Sequence, residues 1–541
     1  MLGRRTSQRS LFDAQSLPHR VPEDSFYGRM GAVSASLLHD DDLAEMYCLD
    51  NGRPSIPPSL MSGVTLLQFH DDVSDGEAVE RMTFDLRWKV ALNLPLDFPG
   101  FDPSSLSVFR KRLVEHGQER YAFDRFIQVG RAAGFIADKV TLLTDTTPAQ
   151  GAGAVQDTYT LLRTGIRKTL KALGFQLPGK RQGMSPRAQA LVTTYLDQDR
   201  KADIDWSDPQ QRATHLKVLV QDAESVLELA AEHMDDAEVR SIGWLLTKIL
   251  GDDLDTDEQG HPRIAQGTAP DRIVSTTDTE MRHGRKSAAQ RFDGFKVGVA
   301  LEAENELILD IADMPASEGD GRQLIPTIQR VEEHVGVEVE RTIGDGAYNS
   351  GDNLAACANY PGHPVDLVTP FKRPANPEVD KTAFEIDLLA QTITCPQGHC
   401  VAGQPARDGQ GRDILKFTFQ RPVCAVCPLF EVCVRSRTGG RTVTTHAHEA
   451  YLQQARARQE TEEFKTLYRL RCKVERTIAE LVRHGLRDTR YLGARQRQLQ
   501  RLWTGAVVNL KRLFTLAQDR NVDLAAILAA LAQPKEAIMP A

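Results

Sequence analysis

Residues 139–145 read KVTLLTD. An apolar run of this length, closed by Thr146-Thr147-Pro148, predicts a short buried strand that ends in the carboxylate of Asp145. Strand signals return at 295–302 (FKVGVALE) and 306–313 (ELILDIAD), close enough together to form a hairpin. A helix is expected over 321–334. Val335, Val337 and Val339 then alternate with Gly336, Glu338 and Glu340 and lead to Ile343-Gly344-Asp345, a second strand with a carboxylate at its C-terminal end. One more strand is predicted at 365–371 (VDLVTPF), and from about residue 447 the chain is strongly helical. The order is strand with Asp, hairpin, helix, strand with Asp, strand, helix with Glu. It predicts an α/β protein built on a mixed sheet flanked by helices.

The remaining segments frame that sheet. Residues 28–137 read as helices cut by Pro and Gly, with a turn at Asn51-Gly52-Arg53-Pro54 and a helix opening at Pro57-Pro58. Phe109-Arg110-Lys111-Arg112-Leu113 lies in a further helix after the cap Asp102-Pro103, and its basic residues suit DNA binding as well as plain packing. A long amphipathic helical stretch covers about 155–250. The acidic run Asp252, Asp253, Asp255, Asp257, Glu258 is expected to be an exposed loop. It is not a calcium loop, because Glu258 stands where the sharp-turn Gly belongs and Ile264 where the bidentate Glu belongs. No internal repeat is found.

With 541 residues, 41% hydrophobic and 26% charged, the composition is that of a globular protein of several domains. The net charge of −8 does not advertise a nucleic-acid binder, but the last quarter is basic: thirteen Lys or Arg between Lys465 and Arg512 against Glu475, Glu480 and Asp488. The start, MLGRRTSQRS, lacks the apolar run of a secretory signal, and no stretch approaches the roughly 20 apolar residues needed to span a bilayer. A cytoplasmic protein with no membrane partner is expected, its eight cysteines metal ligands or buried thiols.

Three acids carry the chemistry. Metal-assisted phosphodiester cleavage needs hard oxygen ligands around two cations roughly 3.5–4 Å apart. Asp145 and Asp345 at strand ends and Glu475 on a helix can build such a site if they converge. Gly344 and Gly346 leave space beside Asp345, and Tyr348 is placed to pack beside DNA. Around Glu475, Val474, Ile478, Leu481 and Val482 form one apolar helix face. Glu475 falls on its margin, partly buried, with Arg471 four residues earlier on the same side. Arg469, Arg476, Arg483 and Arg487 make a separate stripe suited to phosphates. Asp278, Asp293 and Asp313 compete with these acids on spacing alone. Farther on, Cys395-x4-Cys400 precedes Cys424-x2-Cys427-x5-Cys433, a zinc-ribbon spacing with five thiols and His399 for four ligand places.

These features resemble the DDE transposases of bacterial insertion sequences, in the branch whose third acid lies in a Tyr-x2-Arg-x3-Glu helix: Tyr468, Arg471 and Glu475 have that spacing. Gly344-Asp345-Gly346-Ala347-Tyr348 resembles the second-acid motif and Leu143-Thr144-Asp145-Thr146-Thr147 the first. His283-Gly284-Arg285-Lys286 with Phe292-Asp293-Gly294-Phe295-Lys296 resembles the hairpin approach, and Gly52-Arg53-Pro54 with Phe109–Leu113 the N-terminal domain. The family's Lys seven residues after the Glu is Val482 here, followed by Arg483.

The resemblance implies an RNase H-like core, with Asp145, Asp345 and Glu475 binding two Mg2+ (or Mn2+) ions. It implies hydrolytic cutting at terminal inverted repeats and attack of the freed 3′-hydroxyl on target DNA by a homodimer. Tyr348, Tyr468, Arg469, Arg471, Arg476, Arg483 and Arg487 would contact the DNA. It favours Cys395, Cys424, Cys427 and Cys433 as ligands of a structural Zn2+, with Cys400 as alternative.

The expected division is a leader (1–27), an N-terminal helical DNA-binding domain (28–137) and the first part of the catalytic core (138–387), with a helical insertion at about 150–270. A cysteine-rich zinc-binding insert (388–445), C-terminal core helices (446–520) and a tail (521–541) follow. A nucleoid-associated transposase is expected. The alternatives are a catalytically silent DNA-binding regulator and a structure-specific nuclease.

Overall fold

In the computed structural model, which describes residues 2–4, 20–48, 50, 52–198, 203–287 and 289–531, the strand that opens at Lys139 does not stop at Asp145. It runs to Gln150 (β1, Lys139–Gln150), so Asp145 sits mid-strand. Thr146 and Thr147 are β-branched and continue the strand readily. Pro148 is tolerated because its missing N–H lies on the edge where Gln150 N–H, two residues on, donates to Arg487 O (2.8 Å) instead of to a neighbouring core strand.

The central sheet contains five further strands: β2 (Arg282–Arg285), β3 (Arg291–Glu302), β4 (Ile308–Pro315), β5 (Glu338–Ile343) and β6 (Asp366–Val368). Their order is β2-β3-β1-β5-β6, with β4 also paired to β3. β3 runs antiparallel to β1, β2 and β4 antiparallel to β3, and β5 and β6 continue parallel to β1. This curled mixed sheet flanked by helices fits an RNase H-like fold.

Helix α1 (Leu324–Val335) covers the sheet with Leu324, Ile328, Val331 and Val335 and ends at Gly336, whose φ of 70° is the left-handed cap that glycine supplies without strain. The next helices are α2 (Gly351–Ala358), α3 (Glu449–Gln459), α4 (Glu462–Arg469), α5 (Cys472–Arg483) and α6 (Ala494–Asp519). α5 buries Val474, Thr477, Ile478 and Leu481 against β1 and β3. α6 lies between β4 and the N-terminal helices Pro58–Asp71 and Tyr121–Ala132. One hydrophobic core therefore runs from Leu60, Phe69 and Phe126 through Trp503 and Leu510 to Val299 and Ile343.

Three local expectations change. Arg110 of the basic FRKRL run is buried and paired with Asp75 (2.6 Å), so only part of that run faces outward. The acidic run at 252–258 is not simply an exposed loop: Asp253 is buried and held by Arg272 (2.6 Å), and Leu254–Thr256 pairs with Pro262–Ile264 as a small hairpin. The predicted strand at 365–371 is formed only at Asp366–Val368. The long helical stretch consists of Thr158–Ala172, Pro186–Val192, Pro209–Ala231 and Ala237–Asp253 around a separate core of Leu161, Ile166, Leu219, Val226 and Leu246. Most of the expected leader, residues 5–19, the end of the expected tail, 532–541, and Asn51 of the expected turn lie outside the described residues.

Candidate active site

The parallel ladder between β1 and β5 ends at the pair Leu143↔Ile343. Two residues beyond each partner stand Asp145 and Asp345, so the register itself carries the two carboxylates to the same level just past the last rung. The third acid arrives on α5. After that helix the chain returns to β1, where Thr489 N–H donates to Gln150 O (3.3 Å) and Arg487 Nε to Thr147 Oγ1 (2.9 Å). These bonds anchor the segment after α5 to the end of β1, and the helix packs back along β1 with Glu475 in its first turn. Asp145, Asp345 and Glu475 consequently line one cavity of about 490 Å³.

Arg471 organises the acids. Its Nη2 donates to Asp145 Oδ2 (2.7 Å) and its Nη1 to Glu475 Oε1 (2.6 Å). Asp145 accepts a second bond from Thr146 N–H (2.8 Å), and Asp345 accepts from Ala347 N–H (2.7 Å). Burial pushes the Asp145 carboxyl above the usual range. Arg471 opposes that shift, and Asp345 and Glu475 add to it. Glu475 departs from expectation: its side chain is 55% exposed, not partly buried, because it lies at the cavity mouth.

The cavity holds groups that spacing did not single out as site residues. Asp320 is a fourth carboxylate, bonded by Lys296 Nζ (2.7 Å) and by Thr146 Oγ1 (2.9 Å), the residue after Asp145. Arg285, Lys286 and Lys296 also line it, beside Arg471 and Arg487. The hairpin motifs HGRK and FDGFK thus deliver three cations to the acids. Asp320 carried no signal: it is a single acid in a short turn, brought in by the fold alone.

Competing acids are placed elsewhere. Asp278 and Asp313 are engaged by Arg497 (3.4 and 3.2 Å), and Asp313 also by Arg501 (2.9 Å), under α6. Asp293 pairs with His283 between β2 and β3.

The residues expected to meet DNA divide. Tyr348 is buried at 2% exposure, its ring against Gly344 and its hydroxyl 3.5 Å from Thr144 Oγ1, so it is a packing residue and not a DNA contact. That contact also corrects the reading of Gly344: the space where a Cβ would stand is filled by the Tyr348 ring (2.9 Å), and beside Gly346 by Pro370 O (3.1 Å). Tyr468 is half-buried, while Arg469, Arg476 and Arg483 are exposed. Arg476 pairs with Glu306 (3.1 Å). Arg471 and Arg487 face the cavity, whereas Arg483 is not among its lining residues and Val482 packs on the core.

In the cysteine-rich segment, Cys395, Cys424, Cys427 and Cys433 surround one small cavity with His399. Cys400 lies outside it, exposed on the strand Cys400–Ala402. Burial raises the Cys433 thiol, opposed by Arg441 and reinforced by the other three sulfurs. Phe384, Ile393, Phe417, Phe419 and Val443 form the core beneath. Among the described residues, no group of three or more His, Cys, Asp or Glu side chains stands ready to hold a metal ion as placed. In the acid cavity the reason is visible, since Arg471 occupies the position between Asp145 and Glu475. The donor chemistry nevertheless fits: hard carboxylates for a hard dication, four thiols for zinc.

Residues 394–514 match a family model described as a transposase DDE domain, and residues 15–112 match one described as a transposase domain (DUF772). The first match contains Glu475 and all five clustered cysteines; Asp145 and Asp345 lie outside both. No curated protein and no solved structure matches the chain. Among the described residues no helix is long and apolar enough to cross a membrane. Two transposase domains on one chain indicate a transposase and support the DDE family.

Proposed function

We propose that this protein is a DDE transposase of the Tyr-x2-Arg-x3-Glu branch, cutting the ends of an insertion sequence and joining them to target DNA. The observation that carries the reading is the meeting of Asp145, Asp345 and Glu475, remote in sequence, in one cavity rimmed by five cationic side chains. Asp145, Asp345 and Glu475 would hold Mg2+ or Mn2+. When bound, the cations supply Lewis acidity to the attacking and leaving oxygens of a phosphodiester. The protein's own part is positioning and charge. Arg471 holds Asp145 and Glu475 through its two terminal nitrogens while its Nε is buried without a hydrogen-bond partner among the described residues, and it would turn from the acids toward a phosphate once cations take its place. Lys296 and Asp320 brace the segment after Asp145 through Thr146, so the first acid keeps its place. Arg285 and Lys286 extend from the hairpin edge to neutralise backbone phosphates. Two DNA ends must be paired for joining, which requires a homodimer on DNA, working in the cytoplasm at the nucleoid.

The cysteine segment would be folded by one Zn2+ on Cys395, Cys424, Cys427 and Cys433, with a purely structural role. Metal analysis of the purified protein should give about one zinc per chain, the single site that four thiols make. A folded, zinc-free protein overturns that assignment.

The experiment for the main reading is a plasmid assay with the element's terminal inverted repeats and the full-length protein. Cleavage followed by joining is expected with Mg2+. Cleavage without joining identifies a nuclease, and binding without cleavage a regulator.

A further inference from the structure

A second concavity, of about 820 Å³, adjoins the acid cavity, and its volume is that of a ligand site. Its walls are residues 370–374 after β6 and the facing sides of α3 and α4. Its wall touches the segment that carries the second acid. A Cβ on Gly346, next to Asp345, would lie 3.1 Å from Pro370 O and 3.6 Å from Lys372 Cγ. Tyr468, on the opposite wall, is three residues before Arg471, which holds Asp145 and Glu475.

The lining combines rings and cations. Tyr468 stacks on Phe464 with centroids 5.8 Å apart and planes at 13°. Arg456 lies over Phe371, 5.0 Å from its centroid, and Phe371 N–H donates to Gln459 Oε1 (2.6 Å). Each of the two outer rings, Tyr468 and Phe371, is therefore braced by a neighbour while remaining only half-buried. Around them Lys372, Arg373, Lys465 and Arg469 are exposed, with Glu460 the one carboxylate of the lining. Lys465 reaches Glu462 (2.8 Å).

Braced rings interleaved with cations inside a hollow are the elements of a stacking platform for unpaired nucleotides. Sequence readout of a duplex requires a helix or ribbon that projects into the DNA groove, which a hollow does not offer. We propose that this groove takes unpaired nucleotides of the strand whose phosphodiester lies at the acids, with bases on Phe371 and Tyr468 and phosphates on Lys372, Arg373, Lys465 and Arg469. The inference rests on the functional reading above and names its substrate more closely.

The test is fluorescence anisotropy with the full-length protein and two labelled probes, oligothymidylate and a blunt duplex of arbitrary sequence. Phe371→Ala should weaken oligothymidylate binding about tenfold, as for one lost stacked base, and Phe371→Trp should restore it, while duplex binding hardly changes. Lys372→Ala with Arg373→Ala, both exposed, should lower the slope of log affinity for oligothymidylate against log salt by about 1.4, roughly 0.7 per phosphate contact on a single strand. Unchanged oligothymidylate binding in Phe371→Ala overturns the proposal, as does an equal loss on both probes or failure of Trp to rescue. If the wild type joins DNA ends and these variants bind as it does, the groove reading falls and the transposase reading stands. If the expected losses appear in a protein that never cuts, the groove reading stands alone.

Discussion

Beneath α6, Arg497 and Arg501 are almost completely buried, at 3% and 0% side-chain exposure; they share Asp313, and Arg497 also holds Asp278 and Glu280. At the cavity mouth, Arg471 is 21% exposed and holds Asp145, while Glu475 stays 55% exposed. Both clusters pair arginines with an acid of the central sheet, Asp313 on β4 and Asp145 on β1. In the first, Arg501 is saturated: besides Asp313 it donates to Leu486 O (2.6 Å) and Thr489 Oγ1 (2.7 Å), tying the loop after α5 to α6. In the second, Arg471 keeps an unpartnered Nε, and the acids keep lone pairs facing an open cavity. A saturated buried cluster has no capacity left for a ligand. An open, under-bonded one has.

The contrast can be broken by substitution. Asp145→Asn, Asp345→Asn and Glu475→Gln should each lower cleavage on the order of a thousandfold, the scale of losing one preorganised charge-stabilising group, with little change in thermal unfolding. Full activity in any of them removes that residue from the site. Arg501→Ala should do the reverse. It leaves Asp313 with a poorer share of Arg497 and should cost about 3 kcal/mol of stability, as for a broken buried pair, with cleavage per folded molecule retained. A normally melting Arg501→Ala protein that no longer cuts would place Arg501 in the functional cluster and void the distinction.

Much of this arrangement was legible in the chain, for reasons particular to each part. The strand at 139, the hairpin, α1 and β5 are local apolar patterns, and local patterns survive folding. The spacing of Tyr468, Arg471 and Glu475 also survived, because a helical turn fixes which side chains meet. What was lost is long-range. That Asp145 lies mid-strand depends on β3, which pairs with β1 as far as Gln150 and which the sequence of β1 does not encode. Asp320 enters the cavity from a separate turn and is held there by Lys296 on β3 and Thr146 on β1. Tyr348 follows Asp345 closely enough in sequence to suggest a DNA contact. Its ring instead fills the gap above Gly344, so the glycine serves packing and leaves no room there for a ligand. Likewise Arg110 and Asp253 look like surface charges until their partners Asp75 and Arg272 arrive from 35 and 19 residues away.

A smaller effect tests whether buried polar groups between the N-terminal helices and the core are as fixed as the α6 cluster. His484, at the end of α5, offers Nδ1 to His70 O (2.7 Å) and meets Lys511 at Nε2 (3.2 Å). Lys511 is paired with Glu480 (2.5 Å). The neutral imidazole satisfies both contacts, donating at Nδ1 and accepting at Nε2. Burial, reinforced by Lys511, lowers the His484 pKa to about 4. The unfolded chain, with its histidine near 6.5, binds the proton first, so the stabilisation is complete above pH 6.5 and is lost as pH falls toward 4. Between pH 7 and pH 5 this one group should cost about 2 kcal/mol of folding stability, from one and a half pH units of unequal protonation. His484→Gln should flatten that part of the stability–pH curve in denaturant titrations. An unchanged slope would mean that the imidazole is already charged in the folded protein, and that this contact, like the one at Arg471, is open to rearrangement.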